Sequence, residues 1–257
     1  MNCSDFIIVS DLDGTLTLDD GSVSKENVDA IKRFQSKGGL FTIASGRTPE
    51  YIKEKFEYFK PNAPIIALNG AIVYDLNKDE CVSSNKLNSI DIDLFCSIYD
   101  NPHCTQVVVV TVDNGMKRVD GITEHDLTET LKKYQVYKLV YIFDSAETPI
   151  EIREELLKKY GDTYNVFRSW PYSLEILDKD ADKGKMLSKL NRGKDKRKII
   201  AVGNFENDLL MFHSADIAVA VKDSDKCVFD SVDVVLDKGY KESAIENLIE
   251  KIEQDEL

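Results

Sequence analysis

The sequence predicts an α/β fold, in which a doubly wound, Rossmann-like parallel sheet is interrupted by an inserted α+β domain. Short apolar runs alternate with helical stretches over residues 1–75, and this rhythm returns from residue 183. Between about residues 80 and 172 the apolar runs are longer and alternate with polar residues. We therefore predict a core domain of residues 1–79 and 175–257, and an inserted domain of residues 80–174.

The first 75 residues have the pattern strand–helix–strand–helix–strand. The run FIIVS (6–10) is short and apolar, which is typical of a buried parallel strand. Ser24 is a helix-capping residue, and Gly38-Gly39 can end the helix that begins there. Thr48-Pro49 begins a second helix, because proline fits the first helical position. The other predicted strands are LFTIAS (40–45), IIALN (65–69) and a hairpin arm, AIVYD (71–75).

The rest of the chain combines two patterns. In the inserted region, the runs QVVVVTVD (106–113) and YKLVYIFD (137–144) indicate strands. Helical stretches near 89–100, 123–134 and 147–160 accompany them. The later α/β region is predicted to contain helices 183–192, 206–214, 224–230 and 241–253, and strands 198–203, 217–221 and 233–236.

Charge and cysteine content narrow the class of protein. The net charge of −13 argues against a nucleic-acid or anionic-membrane partner, although a local cationic site can still accept an anionic small molecule. Five scattered cysteines without a CxxC spacing indicate reduced thiols, and three histidines that form no ligand pair argue against a zinc site. The N-terminus lacks the basic region of a signal peptide, and no apolar run is long enough to span a bilayer. We expect a cytoplasmic monomer or weak homodimer with a small-molecule substrate.

The sequence DLDGT follows the first predicted strand. Asp11 and Asp13 are two residues apart across a turn, so one carboxylate can face a substrate while the other lies beside it. Phosphoryl transfer through an aspartyl-phosphate uses such a pair, since one carboxylate attacks phosphorus and the other moves protons. The alternative is a solvated acidic turn.

Two further groups of candidate phosphate-binding residues lie at a strand end and at a helix start. Ser45 and Gly46 come directly after the second strand, where a hydroxyl and backbone N–H groups can bind phosphate. Lys183 opens the first helix after the insertion and can neutralise phosphate oxygens. The alternatives are a capping turn for Ser45-Gly46 and a surface position for Lys183.

The stretch IIAVGNFENDLLMF contains a fourth group of candidate site residues. Asn204, Asn207 and Asp208 follow the strand at 198–203. Magnesium prefers hard oxygen ligands, which Asp11, Asp208 and a carbonyl of the Asp13 turn can supply. The same polar cluster can also cap the next helix, and that role is compatible with metal binding.

The motifs DLDGT, ASGR, KG and GNFEND, in this order, resemble the four motifs of the haloacid dehalogenase superfamily of phosphatases. The chain is most similar to the Cof-type branch, which has a type IIB cap inserted between the second and third motifs. The resemblance covers about residues 5–75 and 173–237, while the cap matches in position, size and α+β character. It implies a haloacid dehalogenase core, a magnesium cofactor and a cap that closes over the core and selects the substrate.

The resemblance also implies a role for each matching residue. Asp11 would be the nucleophile and a magnesium ligand. Asp13 would be the general acid and base, and its backbone carbonyl would bind the metal. Phosphate would be bound by Leu12, through its N–H group, and by Ser45, Gly46, Lys183 and Asn207. Asp208 would support or join the metal ligands.

Asn204 departs from the family pattern, which has aspartate there as a direct metal ligand. An asparagine carbonyl can still bind magnesium but carries no charge, so we expect metal binding to weaken by about 1–3 kcal/mol. The leading interpretation is a magnesium-dependent phosphatase for phosphosugars or similar metabolites. A phosphomutase and a catalytically impaired sugar-phosphate binding protein are the alternatives. Arg47 can either reach the substrate or cap its turn.

Overall fold

A computed structural model describes residues 2–55, 58–111, 117–120, 124–190 and 196–257. It divides into two compact units, Met1–Ser83 with Lys183–Leu257 and Ser84–Asp182. Parts of three predicted elements, residues 112–113, 123 and 191–192, lie outside the described ranges. Within those ranges no helix combines the length and apolar character needed to span a bilayer.

The first unit is built on a five-stranded parallel sheet. Its order is β13-β12-β11-β1-β2, so the strand that opens the chain lies between β11 and β2. All five residues of β1 are buried, as its apolar run predicts. The strands are β1 (Phe6–Ser10), β2 (Leu40–Ile43), β11 (Lys198–Gly203), β12 (Ile217–Ala220) and β13 (Val234–Val235). The predicted doubly wound sheet is confirmed.

The helices of this unit begin close to the predicted residues. Ser24 caps α1 by accepting a hydrogen bond from the Asn27 N–H, and Thr48 caps α2 through the Tyr51 N–H. The helix predicted over 183–192 ends at Leu187, because the chain then closes into tighter i→i−3 turns. The helices are α1 (Lys25–Ser36), α2 (Pro49–Glu54), α6 (Lys183–Leu187), α7 (Leu209–Ser214) and α8 (Ala244–Gln254).

The third predicted strand belongs to a small antiparallel sheet and not to the parallel sheet. Strand β3 (Ile65–Ala67) pairs with β4 (Ile72–Asp75), which confirms the hairpin. Within the described residues, the pairing of β3 with the parallel sheet is one isolated bridge between Ala44 and Ile66. Strand β5 (Glu80–Ser84) adds to β4. Its sequence, ECVSS, has little apolar character and its residues are mostly exposed, which explains why no strand was predicted there. This pairing groups residues 80–83 with the first unit.

The second unit contains an antiparallel sheet in the order β7-β6-β8-β10-β9. Its core includes Phe95, Tyr141 and Ile176, and the Tyr141 hydroxyl donates a hydrogen bond to the Phe95 carbonyl. Residues 175–182, which the sequence placed in the first domain, group here because β10 pairs with both β8 and β9. The elements are α3 (Ile92–Tyr99), β6 (Cys104–Thr111), β7 (Lys117–Asp120), α4 (Glu124–Lys133), β8 (Val136–Phe143), α5 (Thr148–Tyr160), β9 (Tyr164–Phe167) and β10 (Ser173–Asp178).

A buried ion pair joins β8 to β10 and allows a stability test. Lys138 Nζ lies 2.9 Å from Glu175 Oε2, and the two side chains are only 7% and 6% exposed. Removing Glu175 takes away the carboxylate that lies 2.9 Å from the buried Lys138 ammonium, so Glu175→Leu should lower the free energy of unfolding by about 3–5 kcal/mol. Urea denaturation measures this loss.

The matched control is the double variant Lys138→Met/Glu175→Leu, which removes both charges. It should recover most of the lost stability, because two apolar side chains of similar size need no counterion. Equal destabilisation in the single and double variants would contradict this account of the pair.

Candidate active site

The predicted site residues of the first, second and fourth motifs follow three neighbouring strands. Ser10 pairs with Val202 on one side and with Ile43 on the other, so β1, β11 and β2 end at the same edge of the sheet. Asp11 follows β1, and Asn204 follows β11. Ligands of open α/β sheets bind at this carboxyl edge. The structure therefore brings these motifs to the place where such folds bind their ligands.

Lys183 joins two of the predicted carboxylates. Its Nζ lies 2.6 Å from Asp11 Oδ1 and 2.7 Å from Asp208 Oδ1. The Lys183 and Asp208 side chains are fully buried, and the Asp11 side chain is nearly so. The surface position that the sequence left open for Lys183 is therefore wrong. A charged group at full burial needs such partners, since an isolated one would be very costly.

The charges of this cluster do not balance. Burial raises the pKa of the Asp11 carboxyl to about 7, against the lowering effect of Lys183, and the charge of Asp208 adds to the rise. Burial acts to lower the pKa of Lys183, but the two carboxylates outweigh it and hold that pKa above its ordinary value. Lys183 thus keeps its proton, and two carboxylates face one ammonium. Asp11 can therefore accept a further proton, or a cation, near neutral pH.

Two glycines make the cluster possible. A Cβ at Gly184 would overlap the Leu210 carbonyl oxygen, so this glycine lets α6 approach α7 and bring Lys183 to Asp208. A Cβ at Gly203 would overlap the Asp208 carboxyl carbon. The space at Gly203 lets Asp208 Oδ2 fold back and accept hydrogen bonds from the N–H groups of Asn204 and Phe205, at 2.9 and 3.2 Å.

The DLDGT loop is held by one carbonyl group. The Leu12 oxygen accepts hydrogen bonds from the N–H groups of Thr15, Leu16 and Thr17, and from the Thr17 hydroxyl. The Leu12 side chain is fully buried, which anchors the loop in the core. The turn separates the two aspartates: Asp11 points into the buried cluster, whereas Asp13 is half-exposed and pairs with Arg47.

Asn204 lies beside this loop. Its side-chain Oδ1 accepts a hydrogen bond of 3.3 Å from the Thr15 hydroxyl. In the part of the chain that the structure describes, no three acidic, histidine or cysteine side chains cluster closely enough to hold a metal ion. A hard cation would therefore use mixed oxygen ligands, namely the Asp11 carboxylate, the Asn204 amide and backbone carbonyls. The unbalanced charge of Asp11 and Asp208 fits such a cation.

Asn69 is a site residue that the sequence reasoning missed. Its N–H donates to the Ser45 carbonyl at 2.9 Å, and its Oδ1 accepts from Asn207 Nδ2 at 3.1 Å. Gly46 lies against the same side chain, since a Cβ at residue 46 would be 2.9 Å from Asn69 Nδ2. Asn69 thus links three residues predicted to bind phosphate. The Asn-Gly pair after β3 signals its left-handed turn, with a φ of 54°, but not these partners.

A family model for haloacid dehalogenase-like hydrolases matches residues 8–249. This match spans most of the sequence, and the chain belongs to that family. A curated relative is the 5-amino-6-(5-phospho-D-ribitylamino)uracil phosphatase YcsE of Bacillus subtilis. It is 25% identical over 238 residues, which cover 92% of this chain and 91% of the relative.

Solved structures agree with the family. The crystal structure of TM0651 from Thermotoga maritima has a TM-score of 0.71 at 29% identity, covering 95% of this chain and 96% of that one. The subclass IIB sugar phosphatase BT4131 has a TM-score of 0.78 at 16% identity, covering 96% and 98%. At that lower identity the likeness concerns the fold. The predicted family and fold class, and the prediction of a hydrolytic enzyme, are confirmed.

The raised pKa of Asp11 predicts a pH-dependent stability. An aspartate in the unfolded chain ionises near 3.8, whereas folded Asp11 holds its proton up to about pH 7. The contribution of Asp11 to the free energy of unfolding of the metal-free protein should therefore fall as pH rises between these values, and comparison with Asp11→Asn isolates it. Asp11→Asn removes the penalty of a buried charge and should be more stable than the wild type by up to about 4 kcal/mol at pH 8.

Chemical denaturation in the presence of a metal chelator measures this difference, and pH 5 provides the comparison point. There the wild-type carboxyl already carries its proton, so the two proteins should have similar stabilities. A variant that is less stable than the wild type at pH 8 would contradict the assignment of unbalanced charge to Asp11.

Proposed function

We propose that this chain is a magnesium-dependent phosphatase that hydrolyses small phosphorylated metabolites through an aspartyl-phosphate on Asp11. The observation that carries the proposal is the buried cluster of Asp11, Lys183 and Asp208 at the carboxyl edge of the parallel sheet. Family membership supports hydrolysis, and the phosphatase activity named for the Bacillus subtilis relative supports phosphate esters as substrates.

The residues divide the proposed chemistry between them. An Asp11 oxygen forms a bond to phosphorus while the ester P–O bond breaks, and Asp13 gives a proton to the leaving oxygen. Water then attacks phosphorus and gives its proton to Asp13, which releases inorganic phosphate and restores Asp11. Lys183 neutralises the phosphoryl oxygens during both steps. Leu12, through its N–H, and Ser45, Gly46 and Asn207 bind the phosphoryl group.

Magnesium would be held by Asp11, by the Asn204 side chain and by the Asp13 carbonyl. When bound, it polarises the phosphoryl group and offsets the excess negative charge of the site. For Asp208 we propose a supporting role instead of direct ligation. Both of its oxygens already accept hydrogen bonds, Oδ1 from Lys183 and Oδ2 from backbone N–H groups. It therefore holds Lys183 and the Asn204 turn in place.

The asparagine at position 204 leads to a prediction about magnesium affinity. Restoring a carboxylate with Asn204→Asp adds a charged ligand, so the magnesium concentration that gives half-maximal activity should fall about 10- to 100-fold. Phosphatase assays with titrated magnesium measure this concentration for both proteins. An unchanged magnesium dependence would show that residue 204 is not a metal ligand.

The proposed substrates are phosphosugars and polyol phosphates, and the second unit is proposed to select among them. The relative from Bacillus subtilis is named for a substrate with a phosphorylated ribityl chain, which belongs to this chemical class. The cytoplasmic location, the monomeric or weakly dimeric state, and the absence of nucleic-acid and membrane partners stay predictions from the sequence.

A substrate panel tests the proposed activity. Phosphate release should be measured with magnesium on phosphosugars, polyol phosphates, nucleotides and p-nitrophenyl phosphate. We expect turnover by the wild type and a loss of at least about 1,000-fold in Asp11→Asn, which removes the nucleophile. Sugar-phosphate binding without turnover of any compound would instead favour the binding protein suggested by Asn204.

A further inference from the structure

Arg47 and Asp13 form a two-pronged ion pair at the exposed side of the site. Arg47 Nε donates to Asp13 Oδ2 at 2.9 Å, and Nη2 donates to Oδ1 at 3.0 Å. This arrangement fixes the plane of the guanidinium relative to the carboxylate. The two side chains are 43% and 49% exposed, so the pair contributes little to stability and remains accessible to a ligand.

Arg47 makes further contacts through its guanidinium, its backbone N–H and its backbone carbonyl. Its guanidinium carbon lies 4.8 Å from the centre of the Tyr51 ring in α2, a cation–π distance. Its backbone N–H donates to the Ser45 hydroxyl, and its carbonyl accepts from the Leu68 N–H. These contacts hold the arginine beside Ser45, one of the residues proposed to bind phosphate.

The pair leaves hydrogen-bonding capacity unused. A guanidinium has five N–H donors, and two of them contact Asp13. Within the described ranges no other residue accepts a hydrogen bond from the Arg47 side chain. Asp13 also keeps acceptor capacity, since each carboxylate oxygen can accept more than one hydrogen bond. Donors and acceptors therefore lie side by side next to the residue that would protonate the leaving oxygen.

The charge of the pair discriminates between ligands. Once Asp13 has given its proton to the leaving oxygen, Arg47 and Asp13 together are neutral, so a second anionic group on the substrate would gain attraction from one and repulsion from the other. A hydroxyl both donates and accepts hydrogen bonds, so it can bind to Asp13 and Arg47 at once. The pair is thus better suited to neutral hydroxyls than to a carboxylate or a second phosphate.

We infer that Arg47 is a specificity-determining residue whose pair with Asp13 binds hydroxyl groups on the alcohol part of the phosphate ester. The inference rests on the proposed phosphatase function and deepens it. It selects polyol and sugar monophosphates over alkyl phosphates, and over substrates that carry a second anionic group.

A five-carbon substrate series tests this inference. Ribitol 5-phosphate, pentyl phosphate and 5-phosphoribonate are all primary phosphate esters, and they carry respectively hydroxyls, none, and hydroxyls with a carboxylate. The wild type should have a kcat/KM for ribitol 5-phosphate about 10- to 100-fold above that for pentyl phosphate. The value for 5-phosphoribonate should be no higher than that for ribitol 5-phosphate.

The variants are Arg47→Met, Arg47→Lys and the control Lys55→Met. Lys55 Nζ lies 4.9 Å from the centre of the same Tyr51 ring and donates to the Gly21 carbonyl, not to Asp13. Arg47→Met should reduce the preference for ribitol 5-phosphate by at least about tenfold. Arg47→Lys should retain part of it, since lysine keeps donors but loses the fork. Lys55→Met should keep the wild-type preference.

The outcomes separate the inference from the function on which it rests. Equal losses on all three substrates in Arg47→Met, or a wild type without the hydroxyl preference, would overturn the inference and leave the phosphatase standing. A wild-type preference for 5-phosphoribonate would also overturn it. Failure to release phosphate from these compounds and from p-nitrophenyl phosphate would overturn the phosphatase proposal and the inference together.

Discussion

The contact between Lys183 and the carboxylates of Asp11 and Asp208 is the constraint on which the rest of the first unit depends. A fully buried ammonium requires counterions within hydrogen-bonding distance, at 2.6 and 2.7 Å here. Those counterions come from positions 172 and 25 residues away in the chain. The parallel pairing of β1 with β11, and the close packing of α6 on α7, are what bring them together.

The buried cluster carries more negative than positive charge when Asp11 is ionised. Burial, together with the charge of Asp208, raises the pKa of Asp11 although Lys183 acts to lower it, and this rise costs stability in the free protein. Functional sites are often destabilising when their ligand is absent. A site arranged to bind a cation or a phosphoryl group is not the most stable arrangement of the free protein. Asn204 carries no charge, whereas the aspartate that the family resemblance implies at this position would add one negative charge to the site. Under the proposed assignment of residue 204 as a metal ligand, asparagine would therefore weaken metal binding and also ease the repulsion within the free site.

Local sequence patterns predicted the elements and the order of the motifs well, because apolar runs, caps and turn residues act over a few positions. Ser24 and Thr48 are the helix caps that were expected, and the run 6–10 is the expected buried parallel strand. Such local patterns do not predict contacts between residues that are far apart in the sequence. The link of Asn69 to Asn207 and the fork of Arg47 on Asp13 depend on how loops meet in space. Strand β5 forms by pairing with β4 and not by apolar character, so its sequence gave no signal.

Covalent trapping of the phosphorylated enzyme tests whether Asp11 is the group that attacks phosphorus. Wild-type protein would be mixed with magnesium and a substrate that it turns over, quenched during turnover and reduced with borohydride. Reduction converts an aspartyl-phosphate to homoserine, which mass spectrometry locates by residue. We expect homoserine at position 11 when substrate is present, and none without substrate. Homoserine or phosphate found at another residue, with position 11 unmodified during active turnover, would contradict it.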